Sequence, residues 1–180
     1  MPDYEEQMML RAKFLLRVLS TTMAMALLPS VAMGGHDDAP PVCLDEQNHE
    51  LTYNNDVVVR WVKTTRNQYR ARAHINGTVV KLYARQGSHE HISVQIGTNV
   101  TEVIEIIYNT AFGRVERDIE VGSSVQACGD YITSNAPTGH YRASPDGAIL
   151  HWVHHSTRSS HPHGYLMIDG ILYGDEEPAF

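Results

Sequence analysis

The sequence predicts an all-β fold: a five-stranded OB-like Greek-key barrel with an N-terminal helix and a C-terminal hairpin. Three observations lead to this prediction. About five segments alternate apolar and polar residues, a glycine interrupts the long first segment, and a short helical insertion separates the third from the fourth. With 180 residues, 42% of them hydrophobic, the chain can build one packed core, so we expect a single OB-like domain at 43–180.

Residues 1–32 are predicted to be a secretory signal peptide. Arg11, Lys13 and Arg17 precede the apolar run VLSTTMAMALLPSVAM, which ends in small residues suited to cleavage. A buried N-terminal helix is the alternative interpretation. Residues 33–42 are rich in Gly, Pro and Asp and are expected to form a flexible lead-in. We therefore expect a periplasmic or secreted protein, with no membrane insertion after signal cleavage.

The chain has two cysteines, Cys43 and Cys128. Export would bring them into an oxidising compartment, where a pair of thiols commonly forms a disulfide. The sequence therefore predicts a Cys43–Cys128 disulfide. The alternative is two buried thiols that pack as small apolar residues.

The helix and the first strand are distinguished by the spacing of their apolar residues. In NDVVVRWVKTTRNQ, residues 55–68, the apolar side chains recur at helical i, i+3, i+4 spacing after an Asn/Asp start, although the β-branched residues leave a strand open. The next stretch, ARAHINGTVVKLYARQ, is extended in character. Asn76-Gly77 within it predicts a bulge or a sharp bend.

Further strands are predicted from period-two alternation in HISVQIG, TEVIEIIYN and SSVQACGDYI. The intervening TAFGRVERDIEVG is expected to form a short helix or a turn. Pro145-Asp146-Gly147 predicts a turn before the fifth strand, AILHWV. Asp169-Gly170 between two apolar runs is the strongest hairpin signal in the chain.

The net charge of −7 disfavours nucleic acid and anionic membranes as partners, because both are usually bound by clustered Lys and Arg. Five basic residues lie close together, but their spacing suits the solvated face of a helix. They are Arg60, Lys63, Arg66, Arg70 and Arg72. Eleven histidines would gain charge in an acidic compartment, so the surface is expected to respond to pH.

Five histidines fall within ILHWVHHSTRSSHPHGY, where His161 and His163 form one H-x-H pair. His89 and His91 form a second such pair. Side chains at i and i+2 of a strand share a face, so H-x-H can chelate one metal ion. His151 and His154 would face opposite ways in an extended chain. Both can join one site only if the chain turns after Trp152.

We predict that His89, His151, His154 and His161 form a site for a divalent transition metal, zinc or similar, with Asp130 as an optional carboxylate ligand. Two alternatives remain open. The histidines could cap strands and bond loop carbonyls, or they could serve metal-free acid–base catalysis.

The segment DGAILHWVHHSTRSSHPHGYLMIDGILYG resembles the C-terminal signature of an uncharacterised bacterial family, domain of unknown function 3465. That signature runs H-W-T-H, an acidic–proline pair, R-x-x-H, G-W and G-x-x-Y. The matching residues are His151, Trp152, His154, Arg158, His161, Gly164, Tyr165, Gly170 and Tyr173. Upstream matches are Gly77, Val79, His89, Asn109, Gly122, Gly129, Asp130 and Tyr131.

The resemblance covers residues 70–174 and has three departures. Tyr108 replaces the usual His, Ser156 the usual Asp and Tyr165 the usual Trp. The resemblance implies an exported bacterial protein with an OB-like barrel, and it implies no particular activity. The residues expected to contact a ligand beside the four histidines are Asn109, Asp130, Tyr131, Trp152, His155, Arg158, His163 and Tyr165.

The predicted function is ligand binding at the histidine-rich site, most directly of a divalent transition metal. A metal that keeps a water could support phosphodiester hydrolysis on a barrel type that often holds oligonucleotides. The competing hypothesis is a non-catalytic module that binds an oligosaccharide, an oligonucleotide or a protein, with structural histidines. The expected partner is thus a small molecule, a metal or an oligomeric ligand, with nucleic acid disfavoured by the acidic charge.

Overall fold

The structure is a computed structural model that describes residues 39–113, 115 and 119–175. The predicted signal peptide and most of the predicted lead-in lie outside the described residues. Within the described part of the chain, no helix is long and apolar enough to cross a membrane.

The described residues form one short α-helix, one 3-10 turn and seven strands. In chain order they are α1 (Asn55–Thr64), β1 (Arg70–Leu82), β2 (His89–Gln95), β3 (Val103–Asn109), the 3-10 turn (Thr110–Phe112), β4 (Ser124–Thr133), β5 (Ala148–His151), β6 (Tyr165–Ile168) and β7 (Ile171–Tyr173).

Five strands close into a barrel in the order β1-β2-β3-β5-β4, with β4 pairing back onto β1. Only the β3–β5 pair among these is parallel. The predicted all-β, OB-like barrel is therefore confirmed. Strands β6 and β7 extend the sheet from β4 as the predicted C-terminal hairpin, with Asp169 and Gly170 both at positive φ in its turn.

Strand β1 is long enough to pair with two neighbours. Its first part, as far as Thr78, pairs with β4, and Thr78 to Leu82 pairs with β2. A Cβ at Gly77 would lie 2.2 Å from the carbonyl oxygen of Gln95, so only glycine fits where the strands approach. Strand β1 changes its partner at Thr78, next to Asn76-Gly77, and we call this point the bend of β1; a register shift follows between Val79 and Lys81.

The barrel interior is filled by the apolar residues that alternate along the strands. Fully buried examples are Ile75, Ile92, Val94, Ile104, Ile106, Tyr108, Val125, Ala127, Tyr131 and Leu150. Helix α1 covers one side of this core: Val58 is fully buried, and the Trp61 ring lies 5.2 Å from the Tyr131 ring. The helix prediction is confirmed, although α1 ends at Thr64.

Strand β2 differs from its prediction as a half-buried strand. Four consecutive residues from His91 to Val94 are buried, so both faces are covered. The cover on the outer face includes Tyr83, whose hydroxyl donates to Asp146 Oδ1 at 2.7 Å. Beneath it, His91 Nδ1 lies 2.6 Å from Glu105 Oε1.

The predicted disulfide between Cys43 and Cys128 is confirmed. It joins the segment before α1 to the outer face of β4, where Tyr165 and Met167 pack around it. The bridge spans 85 residues of sequence. Closing so long a loop stabilises a fold by up to about 4–5 kcal/mol in the chain-entropy model.

Candidate functional site

Strand register places three charged or titratable side chains in one row on the outside of the barrel. Arg72 on β1 pairs with Asp130 on β4, which in turn pairs with His151 on β5. Their neighbours Ala73 and Leu150 are fully buried in the core. Because side chains alternate along a strand, Arg72, Asp130 and His151 project to the outer face.

The chain turns at Trp152, directly after β5. Its φ of 55° is left-handed, a conformation that costs a residue with a side chain about 1–2 kcal/mol. The turn is followed by Val153, which is buried in the core, and by His154, whose ring lies 5.5 Å from the Trp152 ring. It thereby meets the condition under which His151 and His154 can belong to one site.

The Trp152 ring is the centre of the site. Its centroid lies 4.9 Å from the His161 ring, 5.5 Å from the His154 ring and 6.0 Å from the His151 ring. The guanidinium carbon of Arg158 sits 5.6 Å from the same centroid, within cation–π distance. Four of the residues predicted for the site thus surround the fifth.

His89 approaches from β2, and its ring lies 6.0 Å from the His151 ring. His154 is buried and stacks on Phe112 at 3.7 Å. We call His89, His151, Trp152, His154 and His161 the histidine–tryptophan cluster. The structure therefore brings all four predicted metal-ligating histidines to one region.

A buried arginine fixes the orientation of His161 through Asp130. The Arg72 side chain is 3% exposed, and its Nη1 donates to Asp130 Oδ1 at 2.8 Å. The other carboxylate oxygen, Oδ2, accepts from His161 Nε2 at 2.9 Å. With the hydrogen on Nε2, His161 Nδ1 carries the lone pair, and this buried atom has no hydrogen-bond partner among the described residues.

Arg72 also anchors the loop that carries the histidines. Its Nη2 donates to the carbonyl oxygen of His163, and its Nε donates to the carbonyl oxygen of Leu44 at 3.1 Å. The interpretation of Arg72 as part of a solvated basic face is wrong, because the side chain is buried among these acceptors. Arg72 has this role because it lies opposite Asp130, and the sequence alone does not reveal that pairing since the strand register must be known.

Hydrogen bonding also fixes the tautomer of His154. Its Nδ1 lies 2.7 Å from the carbonyl oxygen of His155, which can only accept, so Nδ1 carries the hydrogen. The Nε2 atom is left with the lone pair. Metal-binding histidines usually make this kind of bond with the nitrogen that does not bind the metal.

Three histidines of the cluster, His89, His151 and His154, favour the neutral form. Burial, followed by the nearby His89 and His154, lowers the pKa of His151 to about 4, although Asp130 opposes this shift. Burial is also the main cause of the lowered pKa of His89 and of His154. Near neutral pH these rings therefore hold lone pairs that can bind a metal ion or accept a proton.

Other predicted residues serve the frame of the site. The rings of His155 and His163 pack together at 4.1 Å, and His163 Nδ1 accepts from the Ser156 backbone N–H at 3.0 Å. Asn109 pairs with His89 across β2 and β3, while its Oδ1 accepts from Ala111 N in the 3-10 turn. These three predicted residues thus shape the loop and the turn beside the cluster.

Two predicted residues lie elsewhere. Tyr131 is fully buried in the barrel core against Trp61. Tyr165 is 1% exposed beside the disulfide, with its hydroxyl 2.7 Å from His74 Nε2. Tyr131 is thus held in the core and Tyr165 beside the disulfide, so the structure does not bring either tyrosine to the cluster.

The arrangement offers neutral imidazole nitrogens, one carboxylate and one aromatic face. In the positions described, no group of three or more His, Cys, Asp or Glu side chains lies close enough to hold a metal ion. The rings would have to move closer to share one. In His154 and His161, however, a hydrogen bond from one ring nitrogen fixes the lone pair on the other nitrogen.

Fold and site together define an OB-like barrel with an imidazole and indole cluster on its outer face. A scan against protein-family models matches no family. A search of the curated proteins likewise finds no match. The resemblance to domain of unknown function 3465 therefore stays a prediction.

Proposed function

We propose that the histidine–tryptophan cluster binds a divalent transition metal ion, zinc or similar. The observation that carries the proposal is the environment of His151. Its ring faces His89 at 6.0 Å, its pKa is lowered to about 4, and its nitrogens make no hydrogen bond to any described residue. Partly buried neutral imidazoles without partners are the donors that zinc and its neighbours in the first transition row prefer.

The spacing of the rings supports the same proposal. Two imidazoles on one zinc ion, with Zn–N bonds of about 2.0–2.1 Å at a tetrahedral angle, have ring centroids about 5 Å apart. The His89 and His151 centroids are 6.0 Å apart. A ring shift of about an ångström would bring the two centroids to that separation.

His154 is the third ligand in this proposal. Its Nε2 lone pair is fixed by the bond from Nδ1 to the His155 carbonyl. His161 would supply a fourth ligand through Nδ1, since its other nitrogen donates to Asp130. Imidazole held by a carboxylate is a common arrangement around protein-bound zinc, because the carboxylate orients the ring and raises its basicity.

The test is equilibrium dialysis of the untagged full chain against zinc chloride. We expect one ion per chain in the wild type and a loss of about 100-fold or more in affinity for His151→Ala. His140→Ala is the matched control, because His140 is exposed in the loop between β4 and β5. Unfolding curves check that all three proteins are folded. No zinc binding by the wild type, or equal binding by H151A, would refute the proposal.

Metal-dependent phosphodiester hydrolysis is a second candidate, and the Asp130–His161 pair favours it. A bound zinc ion would lower the pKa of a coordinated water and so make it a better nucleophile. In this candidate His161 stays off the metal. It is oriented by Asp130 at 2.9 Å, and its Nδ1, which has no partner among the described residues, can accept a proton from the attacking water. Incubation with plasmid DNA and zinc, manganese or magnesium tests this. No cleavage by the wild type, or equal cleavage by H151A, removes the candidate.

We propose in addition that the protein is exported to the periplasm or beyond. The Cys43–Cys128 disulfide supports this location, because such bridges persist in oxidising compartments. Cell fractionation of the full chain tests it. Recovery of the protein in the cytoplasm with both thiols reduced would contradict it.

A further inference from the structure

A concave surface lies at the bend of β1. It encloses about 630 Å³, within the usual range for small-molecule sites. Its polar lining consists of four side-chain amides and two hydroxyls. These belong to Asn55, Asn76, Gln95, Gln126, Thr78 and Ser124. We call it the amide groove.

The amide groove is separate from the histidine–tryptophan cluster. Thr78 lies six positions beyond Arg72 on β1. In an extended strand this amounts to about 20 Å. None of the lining residues that the structure describes is charged, and no histidine is among them. The two surfaces therefore differ in both place and chemistry.

Part of the lining is fixed by the fold, and part is available to a ligand. Asn55 Nδ2 donates to the carbonyl oxygens of Asn76 and Ile96 at 2.7 and 2.8 Å, which holds the start of α1 against the strand bend. By contrast, Asn76 Nδ2 and the Thr78 hydroxyl bond to no described residue. The same is true of Gln95 Oε1, so the groove presents free donors and acceptors together.

An exposed aromatic ring is fixed beside the groove. Tyr53 is 44% exposed, and its hydroxyl donates to Gln126 Oε1 at 2.5 Å. Its ring packs at 4.1 Å against His74, which is held in turn by the Leu51 carbonyl at 2.6 Å. Tyr53 thus presents a pre-oriented apolar surface next to uncharged hydrogen-bonding groups.

We propose that the amide groove, with Tyr53, binds a neutral oligosaccharide. Sugar hydroxyls both donate and accept, as do amide side chains, while the C–H face of a sugar ring packs on an aromatic ring. The lack of charged lining residues disfavours anionic ligands, because no cation would compensate their desolvation. The inference stands apart from metal binding and does not depend on it.

Calorimetric titration of the full chain with maltohexaose, cellohexaose and chitohexaose tests the proposal. We expect at least one of the three to bind. Tyr53→Ala should weaken that binding by about tenfold or more, because it removes the aromatic ring on which the sugar packs. Thr78→Arg, at an exposed position of β1, should abolish binding through bulk and charge.

Tyr141→Ala is the matched control, since Tyr141 is 82% exposed in the loop between β4 and β5. It should bind as the wild type does, and unfolding curves show whether Y53A and T78R remain folded. The proposal is overturned if none of the three sugars binds at millimolar concentration, or if T78R and Y53A both bind as tightly as the wild type. Equal binding of hexagalacturonate would also overturn it, because that ligand is anionic.

Discussion

Because His151 is neutral in the folded protein, it should make the free energy of unfolding fall as the pH is lowered, and a single substitution can measure this contribution. Its pKa is lowered from 6.5 to about 4, first by burial and then by His89 and His154. The unfolded chain therefore takes up this proton at a higher pH than the folded protein does. As the pH falls between those two values, proton uptake favours unfolding.

The size of the effect follows from the shift. A difference of about 2.5 pKa units, at 1.36 kcal/mol each, corresponds to about 3 kcal/mol of unfolding free energy. This contribution is complete above pH 6.5 and is lost progressively down to about pH 4. Below that value His151 is charged in both states, and its contribution changes no further.

Denaturant unfolding of the wild type and of His151→Gln, at several pH values between neutrality and pH 4, measures the effect. Glutamine is neutral throughout, so the variant should lose about 3 kcal/mol less stability than the wild type over this range. An NMR titration of the His151 ring gives its pKa directly. Parallel stability profiles for the two proteins, or a His151 that titrates near 6.5, would refute the reasoning.

Three further predictions concern the frame of the site. Reduction of Cys43–Cys128 should lower the free energy of unfolding by up to about 4–5 kcal/mol, measured by denaturation with and without reductant; an unchanged midpoint would contradict the bridge. Gly77→Ala should cost about 1–3 kcal/mol or more, because the new Cβ would meet the Gln95 carbonyl oxygen at 2.2 Å; a melting temperature equal to that of the wild type would show that the strands can separate there. Asp130→Asn should weaken zinc binding by about 10–100-fold in the dialysis assay, because it alters the acceptor that orients the neighbouring imidazole; unchanged affinity would exclude such a role.

Much of the fold was predictable because its signals are local. Alternation in TEVIEIIYN placed Ile104 and Ile106 inside, and both are fully buried. Asp169-Gly170 supplies the positive φ values that a tight hairpin turn needs. The closing pair β1–β4 and the parallel pair β3–β5 join distant segments, and no local pattern specifies them.

The candidate site was predictable in its residue types and less so in its connections. The histidines were evident from their density, and their meeting depends on the left-handed backbone of Trp152. The local sequence does not predict this conformation, because a left-handed backbone usually occurs at glycine or asparagine and position 152 is a tryptophan. Arg72 gains its role only through a register that sets it opposite Asp130. Tyr131 and Tyr165 show the converse: both are close to site residues in sequence, but Tyr131 is buried in the barrel core and Tyr165 is buried beside the disulfide.

X-ray absorption spectroscopy of the zinc-loaded full chain tests metal binding by the histidine–tryptophan cluster most directly. We expect a first shell with three or four imidazole nitrogens at about 2.0–2.1 Å, and the characteristic outer scattering of their rings. A shell made of oxygen alone, with no imidazole scattering, would contradict a shared ion between His89, His151 and His154.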